Sequence, residues 1–160
     1  MKLKNIALLI FAYNRPSHLK RVLVAIEDYK ISSDIVLIID GPKNKQDKIN
    51  QKSIFAMTNR FKKRNFKLII RKRNLGLAKS ITLGIDYFAK KYEGLIILED
   101  DVVPYKSFFL FIKKNFNNYK NEKNITAICG YTPKILSYKV RRKEISSLLF
   151  KNFIPWGWCI

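Results

Sequence analysis

Acidic side chains are scarce in this sequence. Only 12 Asp and Glu stand against 32 Lys and Arg, a formal net charge of +20 over 160 residues. Cysteine is scarcer still. Cys129 and Cys159 lie far apart in apolar settings, with no CxxC pair and no Cys/His cluster. That argues against a zinc centre and fits a reducing, cytoplasmic compartment better than a disulfide-forming one. The single histidine, His18, sits at a helix start, where a solvated or capping role outweighs catalysis. No Ser or Cys nucleophile has an evident histidine partner. No GxGxxG follows the first strand and no GxxxxGK[ST] occurs, which argues against a dinucleotide site of that type and a P-loop ATPase. No apolar run approaches the roughly 18 residues a membrane span requires. The short apolar run over residues 5–12 lacks a small-residue cleavage site and reads as a strand, not as a signal peptide.

What is present is a folded chain. Hydrophobic residues make up 48% and aromatics 13%, enough for a core, and the length suits one domain. The positive surplus favours anionic partners: nucleic acid, anionic lipid or phosphorylated substrates. Yet 24 of the 32 basic residues are Lys, whereas phosphate clamps lean on the forked guanidinium of Arg. A general bias toward Lys, Asn and Ile accounts for the charge as readily as a binding surface does.

Strand and helix patterns alternate along the chain. Residues 5–12 form a continuous apolar run, as in a strand buried on both faces. Pro16-Ser17 opens a helix with Leu19, Val22, Leu23 and Ile26 on one face. Residues 34–40 (DIVLIID) form a second strand, stopped by Gly41-Pro42. Residues 45–64 read as a polar helix with a thin stripe of Ile54, Met57 and Phe61. A third strand covers 66–71. A third helix begins at Gly76, with Leu77, Ile81, Gly84, Ile85 and Phe88 on one side. A fourth strand covers 94–99, a helix marked by Phe108, Ile112 and Phe116 follows, and a fifth strand covers 125–129. The alternation implies an α/β fold: a Rossmann-like, doubly wound, mostly parallel sheet with helices on both faces. Residues 1–130 make up this α/β unit. After Gly130 the pattern breaks, and residues 145–154 read as one more strand before Pro155-Trp156-Gly157-Trp158.

In such sheets ligands sit beyond the carboxyl ends of the strands. That edge carries Ala12, Tyr13, Asn14 and Arg15 after the first strand, Asp40 after the second, Asn74 after the third, and Glu99, Asp100 and Asp101 after the fourth. Three adjacent carboxylates repel one another, and a counter-cation relieves the repulsion. Hard oxygen donors suit magnesium, manganese or calcium. Solvated acids favoured by the following helix N-terminus are the plainer reading, but three of only 12 acids meet here. Asp40 is placed to accept from a base or ribose, or else to shape the turn before Gly41-Pro42. Arg15 is placed to pair a phosphate, or to lie solvated at the helix start. Asn74 reads as a turn or N-cap residue, and Lys79 as a surface lysine on the next helix.

Taken in order, FAYNRPSHLKRVL, LIIDGP, RNLGLAKSI, LIILEDDVVPYKSFF, AICGY and PWGW resemble a glycosyltransferase of the GT-A fold. The likeness is to family-two-like enzymes and the N-acetylglucosaminyltransferase I type, and it spans nearly the whole chain. The resemblance implies a nucleotide-sugar donor, UDP-linked, and a glycan or lipid-linked acceptor. It places Ala12, Tyr13, Asn14, Arg15, Asp40, Asn74, Lys79, Glu99 and Asp100 around the nucleotide. Asp101, with Asp100, would hold Mn2+ or Mg2+ as a variant of the DxD motif. Residues 131–160 would begin an acceptor side, and the general base of such enzymes would lie beyond Ile160, as if the chain were the donor-binding front of a longer enzyme. Two alternatives stand beside this reading. One is an inactive remnant that binds nucleotide, and the other is a basic binder of nucleic acid or anionic surfaces. No recognised nucleic-acid motif is present, so no specific nucleic-acid partner is expected. The same basic surface would suit peripheral attachment at the inner face of the cytoplasmic membrane.

Overall fold

Seven consecutive apolar residues, Ile6–Ala12, form β1, and all seven are buried. Successive side chains leave a strand on opposite faces. Leu8 and Ile10 therefore enter one core, while Ala7, Leu9 and Phe11 enter another. Such a run is buried only in a sheet covered on both sides. The computed structural model describes residue 3 and residues 5–61, 65–131 and 153–160.

β1 lies between two parallel neighbours, β2 (Ile35–Ile39) and β4 (Gly94–Glu99), and β2 pairs in parallel with β3 (Phe66–Ile70). Two short strands complete the sheet: β5 (Ile128–Cys129) and β6 (Trp158–Cys159), with β6 antiparallel to both β4 and β5. The strand order is β3-β2-β1-β4-β6-β5. Helices α1 (Pro16–Asp28), α2 (Lys45–Thr58) and α4 (Lys106–Tyr119) contribute Leu19, Ile54 and Phe109 to one core. Helix α3 (Leu77–Phe88) covers the other face through Phe88, Ile81 and Ile85. This is the α/β, doubly wound arrangement expected from the sequence.

The order also locates the crevice. The chain steps outward from β1 to β2 to β3, then crosses back to lay β4 on the other side of β1. At that reversal the connections leave in opposite directions and open a gap beyond the carboxyl ends of β1 and β4. Those ends are Ala12 and Glu99.

Several expectations are corrected. The second helix ends at Thr58 and tightens into a 3-10 turn, Asn59–Phe61; residues 62–64 lie outside the described residues. Gly76 does not begin the third helix but caps it, with φ +79°. Leu77 does not join the buried stripe; it is exposed at the rim, and Ser80 takes the buried place in the first turn. The fifth strand has only two residues. Residues 145–152 of the expected late strand lie outside the described residues, and 153–154 form no strand. Trp158–Cys159, read only as a closing aromatic segment, is a strand of the main sheet. Both cysteines are free, and burial pushes the Cys159 thiol up to about 12.

Candidate functional site

The crevice has a wall built from the ends of β2 and β3. Asp40, just past β2, is buried, and its carboxylate is filled by backbone donors. Its Oδ1 accepts from the amides of Gly41 (3.0 Å) and Leu75 (3.0 Å), and its Oδ2 from Leu75 (3.1 Å) and Gly76 (2.9 Å). Asn74 Nδ2 donates back to the Gly41 carbonyl at 2.8 Å. The two loops press backbone to backbone, so a Cβ at Gly41 would fall onto the Arg73 main chain. Only glycine fits there. Asp40 and Asn74 thus line the crevice while their polar groups hold its wall together.

A second carboxylate anchors the loop after β1. Asp47 lies at the third position of α2 and completes a capping box with Asn44. It accepts from the Tyr13 hydroxyl, from Asn14 Nδ2 (2.6 Å), and from the amides of Lys43 (2.9 Å) and Asn44 (3.2 Å). The Tyr13 hydroxyl, with help from Asn14 and the two amides, holds the Asp47 carboxyl below its ordinary value despite burial. One turn on, Gln51 Nε2 donates to the carbonyls of Tyr13 (3.0 Å) and Asp40 (2.8 Å). The buried face of α2 therefore fixes the ends of β1 and β2 together.

The opposite wall is different. Glu99 ends β4, and Asp100 and Asp101 follow it. Asp100 is buried and receives the Tyr13 amide at 3.4 Å. Arg15 spans the crevice: one guanidinium nitrogen pairs with Asp100, and Nη1 lies 3.0 Å from Asp101 Oδ2. Burial, then the charges of Asp101 and Asp100, push the Glu99 carboxyl up, against the pull of Arg15. Burial also pushes Asp100 up, although Arg15 opposes it. Three carboxylates crowd this end of β4, and Arg15 is the cation paired with two of them.

Between the walls lies a cleft of about 220 Å3. Of the residues expected to contact a nucleotide, Ala12, Tyr13, Arg15, Asp40, Asn74, Glu99 and Asp100 line it. Asn14 stands behind it on Asp47. Lys79 is exposed on α3 and outside the lining, while Phe11, Lys43 and Ser80 are part of it. The sequence reading missed Asp47 and Gln51. Their signal was two polar residues at i, i+4 in line with Ile54 on the inward face of α2. Asp101 faces a second cleft of about 460 Å3, lined also by Tyr105, Phe108, Tyr131 and Trp156. The Tyr131 and Trp156 rings lie 4.7 Å apart there.

Among the described residues, no group of three or more His, Cys, Asp or Glu is arranged to hold an ion by itself. The donors present still suit a hard divalent cation. Magnesium-type sites commonly use one or two carboxylates and complete their shell with water and phosphate oxygens, and Asp100 and Asp101 could supply such a pair. No helix among the described residues is long and apolar enough to cross a membrane.

No family model matches the sequence, and no curated protein matches it. Solved structures do. The fold is similar to that of the mannosyltransferase PcManGT from Pyrobaculum calidifontis, solved in complex with GDP-Man and Mn2+, at a TM-score of 0.55 and 12% identity. The match covers 77% of this chain and 34% of that one, so this chain spans about a third of that enzyme's length. A protein assigned as a nucleotide-diphospho-sugar transferase from Desulfovibrio desulfuricans G20 overlaps at a TM-score of 0.47 and 9% identity, over 72% of this chain and 55% of that one. At these identities the likeness speaks to the fold, which is the Rossmann-like, GT-A kind of sheet.

Proposed function

We propose that this chain carries the donor site of a metal-dependent glycosyltransferase. The observation that carries the reading is the pairing of Arg15 with Asp100 and Asp101 across the β1–β4 switch point, with Glu99 lining the same cleft. A cationic fork and a cluster of crowded carboxylates are the two halves of a diphosphate–cation site. The shared fold of the Pyrobaculum mannosyltransferase, solved with GDP-Man and Mn2+, supports it. So does the resemblance to family-two-like and N-acetylglucosaminyltransferase I-like sequences.

In this reading Asp101 and Asp100 hold Mn2+ or Mg2+, which would supply Lewis-acid stabilisation of the negative charge gathering on the departing nucleoside diphosphate. The protein does the rest. Asp47 and Gln51 fix the Tyr13–Asn14 turn, and the Asp40 staple sets the wall, so the cleft is organised before ligand arrives. Arg15 and Lys43 add positive charge where the diphosphate would lie. The second cleft, with Tyr131 and Trp156 beyond Asp101, is the acceptor side. UDP is the nucleotide we expect, for a glycan or lipid-linked acceptor. The basic surface would bring the chain to an anionic membrane face, and unchanged sedimentation with anionic liposomes would remove that last point.

The test is a titration of UDP- and GDP-sugars with and without Mn2+, followed by detection of sugar release or transfer. Mn2+-dependent binding supports the donor site. Binding without any release would identify a nucleotide-binding remnant, and no binding of either donor would overturn the proposal.

A further inference from the structure

Arg15 stands in two roles that conflict. It is the cation best placed to meet a diphosphate, yet its guanidinium is committed to both carboxylates that would receive a metal, Asp100 and Asp101. Asp100 is buried, and a carboxylate charge held away from water requires a counter-cation. Arg15 supplies it from a side chain that is 44% exposed, so the arginine keeps a path into the cleft while its partner stays fixed.

Resting on the reading above, we infer that Arg15 is a built-in counter-cation that excludes the metal until a nucleoside diphosphate draws it away. The guanidinium and a divalent ion compete for the same oxygens. A diphosphate offers the guanidinium an equivalent bidentate partner, and the carboxylates then fall to the metal. Metal and nucleotide binding are therefore coupled through one side chain, and the coupling is reciprocal. The device also stabilises the empty fold, because three adjacent acids never stand without positive charge beside them.

The experiment reads Mn2+ affinity without nucleotide, from the loss of the free-ion paramagnetic resonance signal, for the intact chain and three variants. Arg15→Gln removes the competitor and is expected to tighten Mn2+ about fivefold, the scale of a part-exposed ion pair. Arg15→Lys keeps the charge but loses the fork, and should gain less. Lys20→Gln removes one positive charge from an exposed position one turn further along α1, and should change affinity less than twofold. UDP then tightens Mn2+ in the unaltered chain, after correction for Mn2+ held by free nucleotide, and tightens it less in Arg15→Gln. Melting curves confirm that each variant folds. If Arg15→Gln binds Mn2+ no better than the unaltered chain, or if Lys20→Gln gains as much, the coupling is wrong while the donor site stands. If the unaltered chain and Arg15→Gln take up neither Mn2+ nor nucleotide, the donor-site reading falls and the coupling with it.

Discussion

The two walls of the cleft use the same residue types to opposite ends. On the β2–β3 side, the Asp40 carboxylate accepts from three backbone amides, and Asp47, at the start of α2, accepts from a hydroxyl, a side-chain amide and two backbone amides. On the β4 side, Glu99, Asp100 and Asp101 stand together, and one arginine pairs with the last two. The carboxyls shift accordingly: Asp47 is held below its ordinary value, whereas Glu99 and Asp100 are pushed above theirs. A carboxylate saturated with fixed donors is a structural part. A carboxylate with charge to spare is a place for a ligand.

Substitutions on the two walls should therefore fail differently. The largest loss of stability is expected from Asp40→Ala, which strands the amides of Gly41, Leu75 and Gly76. Unfolding in urea should show a cost of about 3 kcal/mol or more. Gly41→Ala comes next, because the added methyl meets the Arg73 backbone; about 1–3 kcal/mol is expected by the same measurement, as for other overpacked sites. Asp101→Ala should leave stability within about 0.5 kcal/mol yet abolish Mn2+-dependent nucleotide binding, as read by calorimetry. A large stability loss at Asp101 together with a small one at Asp40 would reverse the comparison.

The pH response separates the walls more finely. The folded Asp47 carboxyl lies below its unfolded value. Its contribution is complete above the ordinary carboxylate range and is lost as pH falls through the lowered folded value. Asp47→Asn should flatten the acid limb of a stability–pH curve. Glu99 and Asp100 lie above their ordinary values, so protons compete with a cation there, and Mn2+ affinity should rise as pH climbs through that raised range. An affinity flat with pH, or one that falls as pH rises, would contradict the crowding of charge at the β4 end.

Much of this was legible in the sequence, for identifiable reasons. Ile6–Ala12 and Gly94–Glu99 are unbroken apolar runs, and only a sheet covered on both faces buries them. Strand ends then point to the ligand edge without further information. What escaped depends on long-range contact. Nothing local shows that Asp47 meets Tyr13 and Asn14, more than 30 residues away. Asp40 was legible as a strand-end acid, but not as one whose oxygens face the loop after β3. Leu77 follows the helical period, yet its place in the first turn leaves it at the rim. Trp158–Cys159 is too short to announce itself as a strand, and pairing with β4 makes it one.

The central claim is that the acidic cluster at the end of β4 is the metal end of a nucleotide-sugar site. Calorimetric titration of UDP- and GDP-sugars in Mn2+ and in excess chelator, for the unaltered chain and Asp101→Ala, tests it most directly. The account predicts binding of at least one donor in Mn2+, with loss of that binding both in chelator and in a folded Asp101→Ala variant. Equal donor binding in all of these conditions would contradict it.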